Sequence, residues 1–300
     1  MIEKYYDGAI EQVAAGLGTV EKNHLLVRYS GQFSVENLND TKQLEKNEDI
    51  FVQVHEFETG EITCAYEPYL TMICDGFRRY MTGTFEEFME TCDVYYLHRP
   101  VLLGYFNQDN TGREEIILLD EVAYEQERML AALERMLCAI ADRHPVLFVL
   151  NRFQLASKST MQLTVRFLKC ENCNIGLVLG VSDIQAMPEF LVPDWEMLYE
   201  TLDDGSKIYH IGNSGRKKEE AIDDEKYVDY GSEKVYRKLQ HMVEFLDFDR
   251  AAYYLETIER KIKFDNLLVD DAARFRMWLL FVKVSILRQD IPKALEICED

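Results

Sequence analysis

Two almost wholly apolar runs, Val146 to Leu150 (VLFVL) and Ile175 to Val181 (IGLVLGV), constrain this chain more than any other feature. Each is too short for a buried helix and offers no polar face to water, so each predicts a central strand covered by helices on both sides. Three further runs predict strands: His24 to Tyr29, Ile50 to Phe57 and Lys207 to Ile211. Between the second and third strands lies a helical region whose clearest member is Tyr124 to Arg143. There Met129, Leu130, Leu133, Met136, Leu137 and Ile140 form one apolar stripe. Pro145 ends that helix and passes the chain into a strand. Ser157 to Leu168 repeats the helical pattern, with Ser157, Ser159 or Thr160 available as its cap. This alternation predicts an α/β class, with a mostly parallel five-stranded sheet and a helical insert.

The 54 acidic against 33 basic residues leave a formal charge of -21. Such a surface repels phosphate backbones and anionic headgroups, which argues against direct nucleic-acid or membrane partners. No apolar run approaches the roughly 18 to 20 residues of a membrane-spanning helix, and MIEKYYDGAIEQ is not a secretory leader. The seven cysteines are scattered and odd in number, which fits reduced thiols in a cytoplasmic protein. Cys170 and Cys173 form a C-x-x-C with no second pair, so no metal site is expected.

From Gly212 to Ser232 the composition turns to glycine and charge, which predicts a linker over 215–232. It divides an α/β domain, 1–214, from an all-helical region, 233–300. In the latter, Asp247-Phe248-Asp249-Arg250-Ala251 stands ahead of Leu255, and Asp290-Ile291-Pro292-Lys293-Ala294 stands ahead of Cys298. Trp278 and Phe281 precede the second copy. A small alanine that lets antiparallel helices approach, with an aromatic filling the gap between pairs, is the logic of tetratricopeptide repeats, and this region resembles them. The copies lie further apart than the usual period of about 34 residues, so the first hairpin carries extra length. The last helix stops without a capping helix, so the chain is expected to be a fragment of something longer, with any output domain beyond Asp300.

Chemistry in a parallel sheet is sought where strands end. After the first strand, Ser30-Gly31-Gln32-Phe33-Ser34 keeps only Gly31 and Ser34 of a phosphate-cradling loop, and Lys42 is the nearest downstream lysine. After the third, the chain reads Asn151-Arg152-Phe153-Gln154-Leu155-Ala156-Ser157-Lys158-Ser159-Thr160. This stretch, VLFVLNRFQLASKSTMQLTVRFL, resembles the second nucleotide-site motif of the signal-transduction ATPases with numerous domains, an AAA-like branch of the P-loop NTPases. The following strand, Arg143-His144-Pro145 and Tyr66-Glu67-Pro68-Tyr69-Leu70 fit the same order.

The resemblance implies a regulatory ATPase, but its magnesium-binding aspartate falls on Asn151 and its activating carboxylate on Arg152. Magnesium prefers carboxylate oxygen, and an adjacent fixed cation opposes it. With the phosphate-loop lysine missing as well, no catalytic residue and no metal ligand is expected. Gly31, Ser34, Asn151 and Arg152 are then vestiges, with Asn151 a satisfied amide and Arg152 a surface or ion-paired residue. The expected function is a non-catalytic interaction module of a cytoplasmic, bacterial signalling or transcription regulator, with a protein or peptide on its helices. Two alternatives stand beside it: a switch that binds ATP or ADP without efficient hydrolysis, through Arg28, Arg152 or Lys158, and an enzyme with a site in the 60–120 insert. The six scattered histidines and the absence of G-x-S-x-G give that enzyme no catalytic set, and the aromatics of the insert read more simply as core.

Overall fold

The computed structural model describes residues 2–17, 24–29, 35, 49–58, 61–109, 122–170, 174–182, 189–203, 208–211, 230–265 and 267–299. The expected linker falls almost wholly outside them, as do Gly31, Ser34 and Cys173. Five strands pair in parallel in the order β2-β3-β4-β1-β5: β1 (Leu25–Tyr29), β2 (Phe51–Glu56), β3 (Val146–Asn151), β4 (Ile175–Ser182) and β5 (Ile208–Ile211). The α/β class and the parallel sheet are therefore as the alternating pattern implies.

The two apolar runs are the central strands, and β3 is buried along its whole length. Because side chains alternate across a sheet, each strand feeds two cores. Leu25, Val27, Leu147, Val149 and Val178 meet Ala9, Ile10 and Val13 of α1 (Ile2–Gly16) on one face. The interleaved Leu26, Phe148, Leu150, Leu177 and Leu179 join a larger cluster on the other. The helix α1 is absent from the reading of the sequence above. What seats it is Gly176: a Cβ there would lie 2.6 Å from Val13 Cγ1 and 3.2 Å from Leu147 Cδ1.

The insert is built from α2 (Tyr69–Tyr80), α3 (Phe85–Thr91) and α4 (Arg99–Asn107), followed by α5 (Val122–Arg143). The helix α3 starts on a reciprocal cap between Thr84 and Glu87. Its aromatics are core: Phe85 stacks on Phe106 at 4.1 Å, and Phe77 meets both edge-on. After β3 comes α6 (Lys158–Lys169), and after β4 comes α7 (Val192–Asp203). The stripe foreseen on α5 is buried, including Met129, Leu133, Met136, Leu137 and Ile140.

Four helices close the chain: α8 (Glu233–Glu244), α9 (Phe248–Phe264), α10 (Asp271–Leu287) and α11 (Ile291–Glu299). Large buried side chains of all four, among them Leu239, Leu255, Phe281 and Ile297, belong to the same apolar cluster as the helices over the sheet. Phe245 joins the two parts through ring contacts with Tyr66 and Tyr105. Among the described residues no helix is long and apolar enough to cross a membrane.

The seat of α1 is testable. Gly176→Val overfills a closed contact and should cost about 1–3 kcal/mol in urea unfolding. Gly8→Ala, on the same helix with nothing within 4 Å of the new methyl group, should be stabilising by up to about 1 kcal/mol.

Candidate functional site at the ends of the strands

The parallel register places Glu56, the last residue of β2, directly opposite Asn151, the last of β3. The side chain of Asn151 is wholly buried, and its Oδ1 accepts a hydrogen bond of 2.7 Å from the Tyr29 hydroxyl at the end of β1. Burial raises the Tyr29 phenol to about 12, against the pull of Arg152 and of the hydrogen bond to Asn151. The amide oxygen of Asn151 is thus paired within the protein.

Arg152 adopts a left-handed backbone, φ 54°, which an unbranched side chain tolerates but does not favour. This turn takes the chain out of the strand, and the guanidinium Nε lies 3.4 Å from Glu56 Oε1. The other oxygen of Glu56 accepts from the backbone N–H of Val35 at 3.1 Å. The Glu56 carboxylate that the fold brings to this strand end is therefore already matched by a fixed cation and a backbone donor. Sequence reasoning missed Glu56, because its place beside Asn151 exists only through the β2–β3 register.

The segment after Arg152 is a junction. Phe153 is buried against Phe57, and Gln154 Nε2 donates to Ser182 Oγ at the end of β4. Ser157 caps α6 by accepting from the Thr160 N–H at 3.1 Å. The start of the insert holds the same turn, since Thr63 Oγ1 donates to Leu155 O, the Tyr66 N–H to Ser159 Oγ, and Thr160 Oγ1 to Glu67 O.

The acidic turn before α9 holds it from the opposite side. Ser159 Oγ donates to Asp247 Oδ2 at 2.8 Å. Arg250 donates to the carbonyls of Ala156 at 3.1 Å and Leu155 at 3.3 Å. Lys158 Nζ meets Asp249 Oδ2 at 2.5 Å. Burial pushes the Asp247 carboxyl up, opposed by Arg250, Ser159 and Lys158. Burial acts on Asp249 too, yet the contacts with Lys158 and Arg288 hold it below the usual carboxylate range. Lys158, one of the cations considered for a phosphate, is thus engaged.

Among the described residues no group of three or more His, Cys, Asp or Glu side chains is placed to hold a metal ion. Cys170 lies at the C-terminal end of α6, and the expected pair with Cys173 falls outside the described residues. No protein-family model matches the chain, and no curated protein matches it either.

Two predictions follow from these contacts. Asp247→Ala and Arg250→Ala each leave buried polar groups without partners and should cost about 1–3 kcal/mol. Their double-mutant cycle in urea should show coupling of at least about 0.5 kcal/mol, which independent sites do not give. Tyr29→Phe should cost about 1 kcal/mol at neutral pH. Because the folded phenol titrates near 12, above an unfolded value of about 10, its neutral form stabilises the fold fully below about pH 10. That contribution is lost as pH rises through the folded value, so alkaline unfolding of Tyr29→Phe should show a shallower pH dependence there.

Proposed function

We propose that this chain is a non-catalytic interaction module: a P-loop-NTPase-like α/β body without its catalytic groups, joined to tetratricopeptide-like helices that receive a protein or peptide. The observation that carries this reading is the use made of residues 151 to 160. The polar groups of the segment that resembles a nucleotide-site motif are spent on holding the insert and the C-terminal helices. Asn151 faces Tyr29, and Arg152 faces Glu56, where hydrolysis needs unopposed carboxylates.

The helices support the second half of the reading. Ala251 and Ala294 are buried, as close helix approach requires, and Phe281 is buried between neighbouring helices. Lys293 on α11 reaches back to Glu259 on α9 at 2.9 Å, tying the second hairpin to the first. The same architecture suits a regulator in a signalling protein of the cytoplasm, with its output elsewhere.

Calorimetric titration of the purified chain with ATP and ADP, with and without magnesium, tests the reading after a check for copurified nucleotide. No heat and no magnesium-dependent turnover are expected. Micromolar binding would instead favour a nucleotide switch, because a ligand of the folded state at 100 times its dissociation constant adds about 2.7 kcal/mol of stability. Turnover by the wild type that Asn151→Asp with Arg152→Glu alters would overturn the assignment of this strand end.

A further inference from the structure

The exposed apolar surface of this molecule is concentrated in one place. Of the eleven large apolar side chains that stand exposed among the described residues, seven lie between Phe264 and Leu295, around α10 and α11. Scattered apolar residues on a surface are ordinary, whereas a contiguous set marks an interaction surface.

The helix α10 is apolar on two opposite sides. One side, with Met277, Leu280, Phe281 and Val284, is buried in the common core. The other carries Ala272, Phe275, Leu279, Val282 and Ile286. Phe275 is 64% exposed, Leu279 55% and Ile286 38%, while Ala272 is exposed and Val282 half-buried. Their spacing alternates three and four residues, which makes them the a and d positions of a heptad pattern. That is a narrow seam of the kind that packs against one further helix.

The residues beside the seam select that helix. With Ala272, Leu279 and Ile286 at a, and Phe275 and Val282 at d, Asp271 and Trp278 fall at g, and Arg276 and Lys283 at e. In a parallel pair of α10 helices each g residue lies beside the e residue of the partner's following heptad. Asp271 then meets Arg276 of the partner subunit, and Trp278 meets Lys283 of the partner subunit. These are an ion pair and a cation–π contact, each made twice by symmetry. Arg276 already meets Glu233 of its own chain at 3.0 Å, but a guanidinium has five N–H donors and can hold a second carboxylate. The Trp278 ring already meets Arg274 at 5.3 Å, so the ion pair is the stronger of the two contacts. An antiparallel pair would instead set e against e, cation facing cation. The formal charge of -21 opposes association at long range. At about 0.15 M salt, however, screening acts within about 8 Å and the charges next to the seam dominate.

We propose that two copies of this chain associate through α10, packed in parallel about a two-fold axis along the seam of Phe275, Leu279 and Ile286. Each helix is already held by its own fold, so pairing needs little further ordering. A seam of two heptads belongs with small, reversible interfaces. The inference uses no residue of the strand ends and stands or falls apart from the proposed function.

The test is sedimentation velocity of the full chain in about 0.15 M salt, from low micromolar to about 100 µM. The mass should rise with concentration towards twice that of one chain. Leu279→Glu places two like charges across the seam and should weaken dimerisation about tenfold or more, and Asp271→Lys should weaken it in the same sense. Asp271→Lys combined with Arg276→Glu restores the ion pair with its signs exchanged and should recover most of that loss. A thermal melt of each variant reports whether it is folded. Ala272→Cys should oxidise to a link between the two introduced thiols, located by peptide mass spectrometry, since a positions of a parallel pair face each other. A mass that stays at that of one chain at about 100 µM overturns the proposal. So does a dimer that a folded Leu279→Glu leaves unchanged, and so does a dimer whose introduced thiols do not link, which assigns the contact to another face or to an antiparallel pair.

Discussion

The buried carboxylate of Asp247 is the constraint on which the rest of this molecule depends. A carboxylate removed from water is tolerated only where donors and cations converge on it. Here Ser159 donates to it, and Arg250 and Lys158 lie within electrostatic reach. Ser159 also accepts from the backbone of Tyr66, at the entrance to the insert. One hydroxyl thus stands between the sheet-derived helix α6, the insert and the C-terminal helices. The apolar cluster that runs through all three parts provides most of the attraction, while this polar node fixes their register, because hydrophobic burial alone is non-directional.

The strand ends follow the same economy. An ATP-hydrolysing site keeps charged groups unpaired so that a metal and a phosphate can complete them. At these strand ends the named polar groups find their partners within the protein. Arg152 faces Glu56, the Val35 N–H takes the second oxygen, and Tyr29 takes the amide of Asn151. The contrast with His241 on α8 is physical: at the strand ends each named polar group has met another, whereas both buried ring nitrogens of His241 meet none among the described residues.

Much of this was legible in the sequence. The runs at 146–150 and 175–181 leave no polar face, so they could only be central strands, and the stripe on α5 could only face a core. Ser157 was one of three candidates for the cap of α6, and the hydrogen bond to Thr160 selects it. The helix α1 is not legible in the sequence, because its apolar face is short and its complement is an absent side chain at Gly176. In the sequence Asp247 and Arg250 stand only as part of an acidic turn ahead of a repeat helix. Their partners are about ninety residues away, and periodicity reports only neighbours along one element.

The sequence by itself determined the α/β class, the strands, the buried stripes and the pairing of an amide with a cation, Asn151 and Arg152, at the end of β3, since these depend on local pattern and residue type. Only the tertiary structure decided that Glu56 meets Arg152, that Asp247 pins the C-terminal helices to α6, and that the ring nitrogens of His241 are buried with no hydrogen-bond partner among the described residues. Those outcomes depend on the register between strands and on which helix lies against which. They arise from distances between residues far apart in the chain, and no local pattern encodes such distances.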